Sequence, residues 1–576
     1  MIVRHHADVL VIGGGMAGLW AAVRASDLSK KVLVVDKGKI GRSGCAAFAA
    51  GIYFLPLPGD DRPLWMREIV ENGCFYNDQE WLSLLMDEVY DLSLEMDRRG
   101  REYGLIIFER DSRGEFLRRK SRANFHTMHA VINALPMMDT LKRMVLDKGA
   151  RFVERTMIHD LLVDEGRIKG AVGFNPRTAD IHIFKANTVI LAAGGTAFKA
   201  AFLGHKNLTG DLQAAAFRSG VIFQNMENIL SNTSARDYDV AGLSLYVGSG
   251  GRFINGLGEE FMESYHPTLG SRAPLQYLVL AMCREVKEGR GPIFLDMSKT
   301  NPSDKELLKK ILPEAFRIWD RSRYRFFEDK IPWAPALPGT ISSGGGTRIN
   351  LHCETNIPGL YATGDVTPVP PHGAYSVGGV NLAFAALSGF KAADRASGFA
   401  SHGVGRLPKE MVDESIDRLT LPLRRNDGID PNQVIGQVQS IMTSMGTSYL
   451  KSESSLNEAL TRLLEVKEEM LPKVKARDPH YLTTALEAEN LVTLAEVMIR
   501  ASLFRKESRG FHFREDFPVT DNRSWLKWVL AQKDGKEMKL WTVPIPTPVV
   551  QPSCETMTPP GVKVAPANPL PSETVS

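Results

Sequence analysis

Residues 7–25 read ADVLVIGGGMAGLWAAVRA and residues 31–38 read KVLVVDKG. Ala7 to Ile12 is a run of strand length, apolar but for Asp8, and glycines follow at Gly13, Gly15 and Gly18. An apolar helix opens at Ala17, and a second apolar strand, Val32 to Val35, ends on Asp36. Strand, glycine turn, helix, strand and acid together form the full context of a dinucleotide fingerprint. Gly13 allows the tight turn, Gly15 lets the backbone approach a pyrophosphate, and Gly18 lets the helix pack closely on the strand. The helix N-terminus offers free N–H groups and partial positive charge to phosphates, and Asp36 accepts from a ribose.

A chain of 576 residues, 43% hydrophobic and 24% charged, has ample material for several domains and a large core. Its formal net charge of +3 is small, so nucleic acid is not an expected partner, and Arg118-Arg119-Lys120 reads as a solvated face. No apolar run approaches the roughly 18 residues that span a bilayer, so no direct membrane insertion is expected. The first strand begins near residue 7 and leaves no space for a signal peptide. Five dispersed cysteines without CxxC spacing suit reduced thiols in a cytoplasmic protein and no metal or iron–sulfur site in this chain.

Further along, KIGRSGCAAFAAGIYF (39–54) carries glycines at Gly41, Gly44 and Gly51. It suits backbone lying against a flat ring or phosphate, and equally a tightly packed loop and helix. Residues 63–100 read as helices, 105–118 as a hairpin, and 129–156 as a helix leading to a strand. Two strands meet at a Glu165-Gly166 turn. NTVILAAGG (187–195) is a strand running into Gly194-Gly195, a second place for backbone against a cofactor. Thr209-Gly210-Asp211 reads as a turn with an Asx-type helix start. The α/β rhythm breaks over 225–340 and returns at IPGLYATGDV, a strand ending in Gly364-Asp365. Residues 408–505 are helical in pattern, and 543–576, rich in Pro, Thr and Ser, read as disordered.

GGGMAG, Asp36-Lys37, VILAAGG, TGD (209–211), GLYATGD and ESRGFHFREDFP (507–518) occur in that order. Together they resemble the flavoprotein subunits of fumarate reductase and succinate dehydrogenase, with L-aspartate oxidase and, more distantly, the adenylylsulfate reductase α subunit. The resemblance implies an α/β fold: a Rossmann-type FAD-binding domain (1–224 and 341–405), an inserted α+β capping domain (225–340) and a helical C-terminal domain (406–542). It implies FAD held by Gly13, Gly15, Gly18, Asp36, Lys37 and Gly194. Arg42, Ser43 and Gly44 would lie by the flavin ring, Asp211, Gly364 and Asp365 at its ribityl end, and Asn381 and Leu382 would close over the ring. Buried ribityl hydroxyls need such polar partners.

The departures from the family are as informative. Its covalent flavin attachment uses a histidine that falls here on Gly44, so FAD is expected to be non-covalent. Of its dicarboxylate-binding groups, one histidine falls near Asn232 and another among Thr340 to Ser343. One arginine falls on Ser376, and the general-acid arginine on Leu275, three residues after Arg272. Two carboxylates held out of water need paired cations and donors. The resemblance therefore implies an FAD-dependent oxidoreductase, moving a hydride to or from an organic small molecule other than succinate or fumarate. Catalytic candidates that remain are His372, Tyr375 and Arg272. His372 is either catalytic or a structural histidine, and Tyr375 binds substrate or packs. Arg272, Arg236 and Arg252 serve the site or form surface ion pairs. The alternative is an electron-transfer flavoprotein subunit that works with a separate iron–sulfur protein.

Overall fold

In the computed structural model, the first strand is longer than its apolar run. Ile2–Ile12 pairs in parallel along its length with Ile181–Leu191, so the polar Arg4, His5 and His6 are drawn into the ladder by their partner. The structure describes all residues except 29, 50, 121, 200–204, 239, 241, 338–343, 402–404 and 559–576. On one side of Ile2–Ile12 lies Val32–Val35 and then Arg151–Val153, both parallel. On the other side, Ile181–Leu191 is shared by two neighbours. Its first half pairs antiparallel with Arg167–Phe174, which continues to Met157–Asp164, and its last three residues pair in parallel with Leu360–Ala362. Five parallel strands therefore end at one edge, at Gly13, Asp36, Glu154, Ala192 and Thr363. Ligands of open α/β sheets bind at such an edge.

Two helices cover that edge at close quarters. Met16–Asp27 packs on Val380–Ala400, and a side chain at Gly389 would collide with the Ala17 carbonyl. A methyl at Gly18 would collide with the carbonyl of Gly13, and one at Gly13, whose φ is +118°, with Ala192.

A second, antiparallel sheet runs in the order Asn232–Ala235, Lys330–Ala336, Ile293–Asp296 and Arg252–Ile254. Helix Leu275–Lys287 and a cluster including Tyr246, Phe253, Trp319, Phe326 and Trp333 give it its own core. Helices Lys409–Arg424, Pro431–Met442, Glu453–Glu465 and Pro479–Phe504 follow, the last buried on most of its surface.

Three expectations need correction. The segment before residue 542 is not wholly helical: Lys527–Asp534 and Glu537–Pro544 form a hairpin around an Asp534-Gly535 turn and pair with Phe223–Gln224. Period-two alternation about an Asp-Gly pair is a hairpin signal in its own right. Second, residues 544–557 of the expected disordered tail lie on the body. The Gln79 side chain bonds the backbone of Val549 and Val550, and Thr556–Met557 pairs with Thr520–Asp521. Side-chain and edge-strand hydrogen bonds hold a proline-rich segment that has little apolar surface to bury. The rest of that tail, from 559, lies outside the described residues. Third, residues 105–118 form only a short hairpin, bridging Arg110 to Phe116, while Phe108 bridges to Ile132 and Arg118–Arg119 pairs with His129–Val131. Arg118 and Arg119 ion-pair with Asp60 and Asp304 rather than forming a bare solvated face. Among the described residues no helix is long and apolar enough to cross a membrane.

The ESRGFHFREDFP stretch forms a buried ionic joint. Arg505, 0% exposed, donates to Glu227 at 2.9 Å and to Glu507 at 2.6 Å, and Glu507 also takes Arg509 at 2.8 Å. The joint ties the end of the long helix to the entry of the second sheet. Removing one partner of a buried pair strands the other charges and costs about 3–5 kcal/mol. Arg505→Leu, which leaves two buried carboxylates short of a cation, is therefore expected to lower the urea unfolding free energy by about that much. Unchanged unfolding would mean the joint is not a structural linchpin.

Candidate active site

The carboxyl edge of the main sheet opens into a cavity of about 420 Å³. At one end Gly13, Gly14 and Gly15 turn from strand to helix. Asp36 accepts the Gly14 N–H at 2.7 Å and the Gly38 N–H at 2.6 Å, which shapes the turn and leaves further lone pairs for a ligand hydroxyl. Burial pushes its pKa up. Gly15 differs from its neighbours. Its φ of −81° suits any residue, and a Cβ there would meet no atom of the described residues within 4 Å. The space beside it belongs to the cavity rather than to the fold. Ser43, Gly44, Gly194, Gly364, Asp365, Asn381 and Leu382 all line the same cavity. Asn381 and Leu382 occupy the first turn of a 21-residue helix, whose leading N–H groups lack intrahelical partners. Asn381 donates to Asp365 at 3.0 Å, and burial pushes the Asp365 carboxyl up to about 7.

Two expected cofactor residues do other work. Arg42 is half exposed, pairs with Asp139 at 2.7 Å and does not line the cavity. Its side chain follows a loop whose backbone, not its charge, faces the ligand. Asp211 does line the cavity, but its carboxylate is committed to Lys37 at 2.7 Å, Thr209 at 2.9 Å and Asn490 at 2.9 Å. It therefore does not start its helix as an Asx cap; Gly210, in the left-handed region at φ +64°, holds that position. Lys37 also binds Glu487 at 3.0 Å. Burial opposes its charge, but Asp211 and Glu487 outweigh burial and raise its pKa. The acid–lysine pair thus couples the nucleotide end of the cavity to the C-terminal helix.

At the other end the second sheet supplies a wall of Asn232, Thr233, Leu275 and Trp333. Thus two positions that carry substrate-binding groups in the resembled family, Asn232 and Leu275, do face the cavity, as an amide and an aliphatic chain. Those of Thr340 to Ser343 lie outside the described residues, and Ser376 is buried against His372. Tyr375 faces the cavity from a segment in which Val369, Gly373 and Tyr375 all have positive φ. Strain of about 1–3 kcal/mol at each such non-glycine residue persists where the surroundings demand it, often at functional sites.

His372 and Arg272 are placed differently from expectation. His372, 2% exposed, stands behind Tyr375 with ring centroids 4.4 Å apart, and its Nδ1 accepts the Ser376 N–H at 2.9 Å. Burial, then the charge of Arg122, pushes its pKa down to about 3, so it is a neutral imidazole that positions Tyr375. Arg272 does not line the cavity. Its carbonyl accepts the Ala123 N–H at 2.7 Å, and its guanidinium donates to the Asn124 carbonyl at 3.3 Å. It braces the loop that carries Arg122, and Arg122 is the arginine in the cavity wall. Arg236 pairs with Asp237, and Arg252 with Glu260 and Asp296. No spacing pattern pointed to Arg122. It lies just past the basic run 118–120, and its loop is held by Arg272 together with Asn72 and Glu68.

Residues 8–382 match the family described as FAD binding domain, and residues 436–561 match that described as Fumarate reductase flavoprotein C-term. The chain belongs to the fumarate reductase and succinate dehydrogenase flavoprotein family. It is 28% identical over 553 residues to a fumarate reductase (CoM/CoB) subunit of Methanothermobacter marburgensis, covering 92% of this chain and 97% of that one. It is 28% identical over 580 residues to the succinate dehydrogenase flavoprotein subunit of Rickettsia conorii, covering 92% and 94%. Its fold matches a mutated form of the FrdA chain of E. coli quinol fumarate reductase with a TM-score of 0.83 at 21% identity, over 98% of this chain and all of the other. The cofactor is FAD and the protein is an FAD-dependent oxidoreductase.

The residues present fit that group: a glycine cradle with room beside Gly15, an acid at the strand end, and helix-start N–H groups at the far side. A side chain at position 15 would fill space reserved for the cofactor without disturbing the fold. Gly15→Val is expected to melt like flavin-free wild type while losing bound FAD at least tenfold, an absorbance measurement. Full flavin content in that variant would show that the cradle has been misassigned.

Proposed function

We propose that the chain moves a hydride between non-covalently held FAD and an organic substrate, other than succinate or fumarate, lodged beneath the second sheet. The observation that carries this reading is the continuity of the cavity from the glycine cradle to a wall built by Asn232, Leu275, Trp333, Arg122 and Tyr375. FAD, when bound, supplies the electron-pair acceptor or donor. The protein's part is orientation and exclusion of water. Residues 225–340 act as the cap, and the Leu275 and Trp333 side chains keep the reacting end dry. Burial raises the Tyr375 pKa, so its phenol stays protonated and donates to a substrate oxygen. His372 holds that ring in place. Non-covalent attachment is supported by Gly44, which lines the cavity where the family's linking histidine would stand.

A succinate or fumarate site needs cationic partners for two carboxylates, and the described wall offers one arginine. Relatives whose names describe them as subunits favour a second protein partner. In this reading it is a separate iron–sulfur protein that exchanges electrons with the flavin in the cytoplasm, and it should copurify under anaerobic conditions.

Two measurements check this reading. Acid precipitation is expected to release all the flavin into the supernatant as FAD; fluorescence retained in the denatured chain would refute non-covalent attachment. With artificial electron carriers the holoprotein is expected to show no succinate oxidation or fumarate reduction. Turnover within the ordinary enzyme range, about 1 to 1000 per second, would return the chain to dicarboxylate chemistry.

A further inference from the structure

Arg122 is 1% exposed, yet its Nε and Nη1 meet no hydrogen-bond acceptor among the described residues. Burial pushes its pKa down to about 10, and the group that acts against burial is the Tyr375 phenol rather than a carboxylate. The guanidinium carbon lies 5.7 Å from the centre of the Tyr375 ring. Its charge is felt by both buried histidines nearby: burial first, then Arg122, pushes His129 down to about 4 and His372 to about 3. A guanidinium at this position stays charged at neutral pH, and a buried charge without a counter-ion is expensive to keep.

The loop that presents it is firmly held. Ala123 adopts φ +62°, donates its N–H to the Arg272 carbonyl at 2.7 Å, and accepts from the Asn72 amide at 2.8 Å. Beyond it the Glu68 carboxylate accepts the N–H groups of His126 at 3.1 Å and Thr127 at 2.7 Å. Residues from two separate segments, the helix ending at Asn72 and the turn at Arg272, thus place one arginine, short of partners, against the substrate end of the cavity. Around it the wall is mainly apolar, with Ile52, Leu243, Leu275 and Trp333, and its neutral polar groups include Asn232 and Thr233.

We propose that Arg122 is the anion anchor of this pocket and that the substrate is a monoanion, one carboxylate or sulfonate on an otherwise apolar body. The substrate's single acidic group would take the fork of Arg122, and its apolar remainder the wall of the second sheet. This rests on the reading of the cavity as the place of hydride transfer. It departs from dicarboxylate recognition in both the residue used and the number of charges accepted.

The test uses the FAD-loaded full chain and two readouts, calorimetric affinity and the shift of the flavin's visible spectrum. The probes are benzoate and its neutral isostere benzamide, and butyrate and succinate, which differ by a second carboxylate. Benzoate is expected to bind with a spectral shift, benzamide to bind far more weakly, and succinate to gain nothing over butyrate. In Arg122→Gln, benzoate affinity should fall about 30-fold or more, as on truncating one partner of a buried charge pair. Arg122→Lys, which keeps the charge without the planar fork, should fall less. FAD content should match wild type in both.

Benzoate binding no tighter than benzamide, or equally well to Arg122→Gln, would overturn the anchor. Succinate at least tenfold tighter than butyrate would overturn the single-charge assignment. If Arg122→Gln does not fold, the benzoate and benzamide contrast in the wild type decides. Selective benzoate binding that leaves the flavin spectrum unmoved would uphold the anchor and overturn the placement of hydride transfer beside it.

Discussion

With a methyl group at position 13 or 18 the first turn could not exist in this form. The Gly13 carbonyl occupies the space of a Gly18 side chain, and Ala192, at the end of the neighbouring strand, occupies that of Gly13. The missing side chains allow two strand ends and a helix start to meet within van der Waals distance. The rest of the cavity is measured from that meeting point. Gly389 repeats the device where the second helix crosses Ala17. Glycine costs about 0.5–1 kcal/mol in a helix interior relative to alanine, and here that loss is offset by packing two helices over a strand edge.

Charge then joins what the glycines bring together. Lys37 leaves the second strand and meets Asp211 and Glu487, which come from distant parts of the chain. Arg505 binds Glu227 and Glu507 with no exposure on any of the three. Paired charges out of water are stable only while every partner is present, so both networks make the C-terminal helices integral to the nucleotide-binding fold. Arg505 and Glu507 stand at or beside the ESRGFHFREDFP motif, and the motif's role is this joint.

At the opposite end of the cavity the electrostatics are sparse. Asn232 and Leu275 occupy wall positions where relatives of this architecture would place charged or titratable groups, and Arg122 enters from another loop. Tyr375 and His372 form a neutral pair rather than an acid–base couple, because burial and the adjacent guanidinium both oppose protonation of the imidazole. In the proposed reading the cation of this pocket comes from a different loop.

The nucleotide fold was legible in the sequence because it rests on local rules. An apolar run, glycines at fixed offsets and an acid at a strand end carry their meaning within about thirty residues. Helices at 62–102 and 409–504 followed equally from periodicity. The hairpin at 527–544 was also written locally, as alternation about Asp534-Gly535, in a region otherwise dominated by helical pattern. Other features depended on partners far away in the chain. The polar Arg4, His5 and His6 became part of a strand because Ile181–Leu191 offered them a ladder. The Asp211 carboxylate was diverted from ligand to Lys37. Arg272, expected in the site, instead supports the loop of Arg122 through a backbone hydrogen bond spanning about 150 residues. The sequence alone determined that this chain cradles a dinucleotide. Which arginine faces the cavity was decided only by tertiary structure, because a side chain's direction depends on what holds its backbone, and here that support comes from elsewhere in the chain.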